Sequence, residues 1–456
     1  MKKNILRTIC LLLSFLYFAG FAMPISALDY SGLPNTSKAK CVYFYNTNTK
    51  SIIFKKGGGQ QIAPASSTKI MTGLLACELL CDRLDETVTV TSEMIRPTEG
   101  TRMKLGEGDK LSIRSLIYGT VCGGFNDAAY ALAYVAAQGH TEFVKLMNEK
   151  ASALGATNTN YLNPTGFDTA GQYTTLEDVA IIAKAALKNE LYMEISSTSS
   201  KNVRFLNDKA DFTIHNRNGL IDSYYAQGYK NNHAAGLIAG VTDLGGYTVI
   251  TSAGINDSNY LCIVMGGTEE NGTISAYTIA NELIYYAKNN LLERCLMKKD
   301  ALVCTVPIEF ALDGAATKDE EDYLNVRTAS DVTAILPQNA DTSKITYKYH
   351  LYSDTLNAPV VKETVVGVID FYIDGEYLVS APLCVNADVS ANTFLVKMDN
   401  VKSAMTSRIT IIPIILFLVF SSTFLLYKSR RKRKIVHEIR MKRYEKAQSS
   451  SNNFKI

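Results

Sequence analysis

Residues 63–71 read APASSTKIM, and the chain on either side of them decides how the whole is read. Ser66 and Lys69 stand three apart where an apolar segment begins. STKIMTGLLACELLCDRL (67–84) places apolar residues at 70, 71, 74, 75, 77 and 79, the stripe of a helix. Positions i and i+3 share a helix face, so a lysine at 69 reaches a hydroxyl at 66. A serine hydroxyl is a weak nucleophile until a base takes its proton, and burial lowers a lysine's pKa enough to make it that base. A helix start also aims backbone N–H groups at a developing oxyanion. Read locally, Ser66 can equally be an N-cap that only closes the helix. Ser37 and Lys40 repeat the spacing but run into a strand.

Working outward, CVYFYNTNTKSIIFKKGGG (41–59) alternates around a turn at Asn46–Thr49 and predicts a β-hairpin. Residues 111–136 and 142–154 have helical character, and TLEDVAIIAKAALKN (175–189) is an amphipathic helix. GGYTVITSAGINDSNYLCIVMGG (245–267) gives two β-rich runs around a turn, and SAYTIANELIYYAKNNL (275–291) closes the region as a helix. The order is that of an α/β domain with an antiparallel sheet flanked by helices, plus a helical subdomain, over 28–297. From 298 the helical periodicity stops. VVGVIDFYIDGEYLVSAPLCV (365–385) sets Asp374-Gly375 between two alternating runs, a hairpin signal, so 298–396 reads as a small all-β domain.

The ends of the chain carry addresses. Lys2, Lys3 and Arg7 precede an apolar run ending at Pro24, with Ser26 and Ala27 after it, the layout of a signal peptide over 1–27. A connector, 397–408, leads to Ile409–Tyr427, nineteen residues without a charge, long enough to predict one transmembrane helix. KSRRKRK (428–434) follows it, which puts the C-terminus in the cytoplasm and the bulk of the chain outside. The basic tail 428–456 contributes +9 and the first 27 residues +3 to a total of +3, leaving 28–427 at −9. An acidic exported region excludes a nucleic-acid binder, and the tail suits anionic membrane lipid. The five histidines are scattered and no metal motif occurs, so neither a metal nor another cofactor is expected. Cys77 and Cys81, at i,i+4 among apolar residues, are expected as buried thiols, and Cys122 as a packed helix-end residue.

Several blocks taken in order resemble the D-alanyl-D-alanine carboxypeptidases, the low-molecular-mass penicillin-binding proteins. They are APASSTKIMTGLL, GFNDAAYALA (124–133), MNEKASALGATNTNYLNPTGFDTAGQYTTLEDVAIIAKAAL (147–187), HNRNGL (215–220), GVTDLGGYTVITSA (240–253) and VMGG (264–267). The resemblance covers most of 38–290 and, more loosely, the β-domain to about 390. It implies a penicillin-binding-protein/β-lactamase-like fold and a serine peptidase that trims the terminal D-Ala from peptidoglycan stem peptides. An acyl-enzyme on Ser66 is implied, with β-lactams as covalent ligands, at the outer face of the cell membrane. In the signature S-x-x-K, S-x-N, K-T-G, Ser66 and Lys69 match nucleophile and base. The second element falls at Gly124-Phe125-Asn126, keeping Asn126 but lacking the serine thought to relay a proton to the leaving group. The third falls at Ile238-Ala239-Gly240, where isoleucine replaces the lysine that holds the substrate's carboxylate. Gly240 allows close approach, and the N–H of Val241 would complete an oxyanion hole with that of Ser66.

A charge-assisted contact to a carboxylate contributes roughly 1.5–3 kcal/mol, and a proton relay about 10²–10⁴ in rate. Lys230, His233 and Arg217 are the candidate cations to replace the lysine. Two main expectations therefore stand: a working carboxypeptidase, or a catalytically impaired relative that binds wall peptide or a partner protein in the same cleft. β-Lactamase activity fits the appended β-domain and anchor less well.

Overall fold

The hairpin forms as its alternation requires: β1 (Cys41–Asn46) pairs antiparallel with β2 (Ser51–Lys56). The computed structural model describes residues 30, 32–312, 323–398 and 408–452, so the predicted signal peptide and most of the connector lie outside the described residues. These residues fall into two compact units, drawn from Met1–Ala301, Thr328–His350 and Val368–Pro382, and from Leu302–Arg327, Leu351–Gly367 and Leu383–Ile456.

In the first unit, APASSTKIM leads into α1 (Thr68–Leu79), of which Thr68 to Cys77 are buried without a break. A helix covered on every side is a core helix, which is why its apolar residues spread beyond one stripe. The stretch expected to be helical over 111–136 is instead two helices, α2 (Ile113–Val121) and α3 (Asn126–Ala137). They part at Gly123-Gly124, where Gly124 takes a φ of +67°, outside any helix. Then come α4 (His140–Leu154), α5 (Leu176–Ala186) and α6 (Glu190–Ser197), followed by a two-stranded ribbon, β3 (Ser200–Val203) with β4 (Phe212–His215).

The chain next enters β5 (Ala234–Thr242), β6 (Gly246–Ile255) and β7 (Ser258–Gly267), and the five strands form one antiparallel sheet in the order β2-β1-β7-β6-β5. The sheet is buried on both faces. Val42, Phe44, Tyr260, Cys262 and Val264 pack with Ile279, Leu283 and Ile284 of α7 (Ser275–Asn290). Tyr43, Tyr45, Leu261, Ile263 and Ile250 pack with α1 and the helices around it. This two-sided burial accounts for the near-continuous apolar character of β7. Because β5 pairs only with β6, one edge of the sheet stays open toward α1.

Beyond 298 no α-helix occurs among the described residues until 393, as the loss of helical periodicity predicted. In the first unit, Asp374 and Gly375 turn a hairpin with φ of +50° and +85°, the left-handed pair that Asp-Gly favours. In the second unit Leu302 to Pro307 pair antiparallel with Arg327 to Tyr323, and Ile308 and Glu309 parallel with Leu356 and Asn357. The apolar run 409–427 lies on a helix, Arg408–Asn452, with Pro413 inside it. Counted over the described residues, no helix is long and apolar enough to cross a membrane, and the side chains at 408–411 and 414 lie outside that count.

Candidate active site

Ser66 sits in a 3₁₀ turn, Ala65–Ser67, that runs directly into α1. Neither cap position makes a side-chain capping bond, and Ser67 Oγ instead donates to the Pro64 carbonyl at 2.5 Å. Ser66 is therefore not spent as an N-cap. Ala65 holds a φ of +47°, a strained setting for a residue with a β-carbon. Two glycines make room for it. A β-carbon at Gly166 would overlap the Ala65 carbonyl, and one at Gly245 would crowd the Ala65 methyl.

One helical turn on, Lys69 is 3 % exposed and its Nζ donates to the Thr165 carbonyl at 2.7 Å. Burial, joined by the nearby Arg217 guanidinium, drives its pKa down to about 7. The acceptor is held in turn by Asn163, whose Oδ1 receives the Thr165 N–H, the Thr165 hydroxyl and the Gly166 N–H. Thr72, on α1, donates to the Pro164 carbonyl at 2.7 Å. NPTGFD (163–168) is thus a buried clamp that fixes the lysine. Asp168 ties the same loop to β5 and the turn after it, accepting from the Thr242 hydroxyl and the Leu244 N–H.

Gly240, on β5, faces Ser66 so closely that a β-carbon there would overlap Oγ. Val241, next along, is 48 % exposed at the open edge of the sheet. Asn126 opens α3, 7 % exposed, and its Nδ2 donates to the Glu99 carbonyl at 2.6 Å. Asp127 beside it pins the facing loop by accepting from the N–H groups of Met103 and Leu105.

Positions 238 and 124 are those at which a departure from the family motif is expected. Ile238 is 1 % exposed and belongs to the apolar cluster beneath the sheet. A β-carbon on Gly124 would stand 3.5 and 3.6 Å from Cγ and Cβ of Arg217, so the arginine stem lies against the glycine. Of the three candidate cations only Arg217 is brought to the cleft. His233 contacts the Gly254 carbonyl and Lys288, and Lys230 is exposed. Cys122 is buried, with its thiol toward the Thr198 carbonyl, as expected of a packed helix end. Cys81 is exposed, against expectation, because α1 ends at Leu79 and the helix face it was placed on stops short of it. Ser37 and Lys40 are exposed, and Lys40 reaches the Leu244 carbonyl. No cluster of three metal-ligating side chains occurs among the described residues.

A family model described as D-alanyl-D-alanine carboxypeptidase matches residues 31–269, more than half of the chain. The chain belongs to this family. A model of the penicillin-binding protein 5 C-terminal domain matches residues 312–391. The D-alanyl-D-alanine carboxypeptidase DacF of Bacillus subtilis is 26 % identical over 367 residues, 78 % of this chain and 87 % of that protein. DacD of Escherichia coli is 26 % identical over 395 residues, 84 % of this chain and 94 % of that one. Among solved structures, penicillin-binding protein 5 from Haemophilus influenzae is similar with a TM-score of 0.65 at 24 % identity, covering 78 % of this chain and 99 % of its own. That likeness gives the fold: a penicillin-binding-protein domain with an all-β C-terminal domain. Within a D-alanyl-D-alanine carboxypeptidase, the NPTGFD clamp is the part of the site that reading by motif left without a role. Its asparagine and glycine, spaced as Asx-turn residues in a polar stretch, were the available signal.

Proposed function

We propose that the chain is a serine D-alanyl-D-alanine carboxypeptidase acting on peptidoglycan stem peptides through an acyl-enzyme on Ser66. The observation that carries this reading is Lys69: fully buried, fixed on the Thr165 carbonyl, and brought to about 7 one turn from a serine with no capping duty. At that value the lysine is deprotonated often enough at neutral pH to take the Ser66 proton as Oγ attacks the carbonyl of the penultimate D-Ala. Amide cleavage then needs a proton on the departing amine nitrogen, and the protonated Lys69 is the group at hand to return it, since Gly124 supplies no hydroxyl. The N–H groups of Ser66 and Val241 would receive the oxyanion, Gly240 letting the carbonyl approach, and Asn126 would face the peptide from α3. Water then hydrolyses the ester. The relatives' names support the substrate class.

The domain limits proposed are 28–297, 298–396 and a membrane helix over 409–427 after a signal peptide at 1–27, with the catalytic region outside the cell. Support for the anchor comes from the uncharged run itself and from the exposure of Phe417, Phe420, Leu425 and Leu426 on their helix.

The impaired alternative is favoured by the burial of Ile238, which leaves that wall of the cleft without its cation. Release of D-Ala from a stem-peptide mimic by the full chain in detergent, with covalent labelling by a fluorescent penicillin, separates the two. Release and labelling, both lost in Ser66→Ala, support the enzyme. Neither at high protein concentration overturns it.

A further inference from the structure

The hairpin loop between β3 and β4, residues 204–211, makes a set of bonds that the reaction above leaves unused. Lys209 Nζ donates to the Lys104 carbonyl at 2.7 Å and to Asp109 Oδ2. Around that pair the loop is tied to the same stretch of chain. The Leu206 N–H donates to the Lys110 carbonyl at 2.7 Å, the Lys110 N–H to Asn207 Oδ1 at 3.3 Å, and Asn207 Nδ2 to Asp109 Oδ1 at 3.4 Å. Asp109 is 7 % exposed, and its Oδ2 also accepts from the Gly106 N–H. The ammonium lies 4.6 Å from the ring centre of Phe205, which anchors the loop in the core. A charged donor shared between a carbonyl and a nearly buried carboxylate makes a firmer tie than a neutral hydrogen bond.

What Lys209 ties down is one wall of the cleft. Lys104 holds a φ of +63°, and the residues on either side of it, Met103 and Leu105, give their N–H groups to Asp127 at the start of α3. The same stretch meets Asn126 twice: the Asn126 N–H donates to the Thr101 carbonyl at 2.8 Å, and Nδ2 to that of Glu99. A β-carbon on Gly100 would stand 2.9 Å from Asn126 Nδ2 and 3.7 Å from the Phe167 ring. Residues 99–101 are therefore a lip that meets both the α3 wall and the NPTGFD clamp. A non-glycine residue at positive φ keeps that conformation only while its surroundings hold it. Lys209 grips the carbonyl of the strained residue itself. We propose that Lys209 is a positioning residue for the active site: it holds the 99–105 loop and, through it, the Asn126 side chain that faces the substrate. Both segments, 99–110 and 204–211, lie outside the blocks that carry the family resemblance. The assignment rests on the reading that Asn126 faces a peptide in the cleft, but not on that peptide being turned over.

The test is a double-mutant cycle on the full chain in detergent, read as the second-order rate of acylation by a fluorescent penicillin. Lys209→Met keeps the stem and removes the donors, and with the side chain 32 % exposed the variant should fold. It should slow acylation about tenfold to a hundredfold, the upper figure being the cost of a displacement on the order of 1 Å. The pH midpoint near 7 should not move, because Lys69 stands on α1. Lys209→Arg, whose fork can also span a carbonyl and a carboxylate, should recover part of the rate. In an Asn126→Ala background Lys209→Met should cost less than about twofold, since the group it positions is gone. Hydrogen exchange at the Met103 and Leu105 N–H groups should quicken in Lys209→Met. Acylation at the parent rate in that variant, whether or not the loop exchanges faster, overturns the proposal, as does equal slowing in both backgrounds. If the parent takes no penicillin, the same cycle is read in Ser66→Ala as calorimetric affinity for a stem-peptide mimic ending in D-Ala-D-Ala. A Lys209-dependent affinity that disappears in the Asn126→Ala background then sinks the enzyme reading alone. Affinity indifferent to Lys209, or no binding at all, overturns this one.

Discussion

The two walls of the cleft have met different fates. On one, Ser66 stands on the 3₁₀ turn that leads into a core helix and Lys69 on that helix, and the lysine's acceptor is held by Asn163 through three hydrogen bonds. On the other, Gly124 offers no side chain and Ile238 is buried in the apolar cluster. The first wall is built from the fold: to change Lys69 is to leave a buried carbonyl unsatisfied and a hole in a packed helix. A wall whose polar groups are tied into the packed fold is costly to change, while one whose positions carry no buried polar bond is not.

The contrast can be broken at four points. Ser66→Ala should abolish the penicillin adduct by mass spectrometry with little change in melting temperature, because the hydroxyl caps nothing. An adduct that persisted would place the nucleophile elsewhere. Lys69→Met should slow acylation by roughly 10²–10⁴. In the parent chain the acylation rate should climb with pH through about 7, where the lysine becomes neutral. An ordinary lysine, near 10.4, would be only about 0.04 % neutral at pH 7. The sign for stability follows from the same shift. Between about pH 7 and the unfolded lysine's value the unfolded chain holds a proton that the folded one does not, so stability should rise with pH across that window. The slope should vanish in Lys69→Met, and a flat parent curve would contradict a buried, neutral lysine.

Gly240→Ala comes next. Its methyl would overlap Ser66 Oγ, and a displacement on the order of 1 Å costs about 10² in rate. Acylation should fall by about that factor in a folded protein, and unchanged kinetics would show that β5 yields instead. The smallest effect is expected from restoring the family residues. Ile238→Lys puts an amine at a site 1 % exposed, and Gly124→Ser strains a φ of +67°. The double variant should melt lower and gain less than about tenfold in kcat/KM, the contact of one charged group at its weaker end. A larger gain would mean that the rest of that wall is intact and lacks only these two side chains.

How much of this the sequence could tell depends on the range of the signal. Hairpins at 41–56 and at Asp374-Gly375, and the helices over 68–79, 140–154, 176–186 and 275–290, follow from local alternation, periodicity and turn chemistry. The break at Gly123-Gly124 was missed because a pair of glycines weakens a helix without saying on which residue it stops. AAGLIAGVT (234–242) carries too many small residues to announce a strand, yet it is β5, the edge against which Ser66 is set. Ser66 and Lys69 were legible because their chemistry needs only one helical turn. Asn163 and Thr165 were not, and Arg217 only as one of three candidate cations, since each reaches the site across long stretches of chain that only the packed sheet and helices bring together.

The open edge of β5 has a further consequence for how the molecule behaves in company. An unpaired strand invites a second copy to add to the sheet. Here the invitation is short. Its first half is covered by α6, with Tyr192 bonded to the Leu237 carbonyl and Ser196 against Gly236, and its register slips between Ala235 and Ile238. Only the stretch from Gly240 to Thr242 is left beside Ser66. Three residues can align the end of a peptide but cannot zip two folded molecules together, so the edge can stay open to a small ligand while remaining a poor template for self-association.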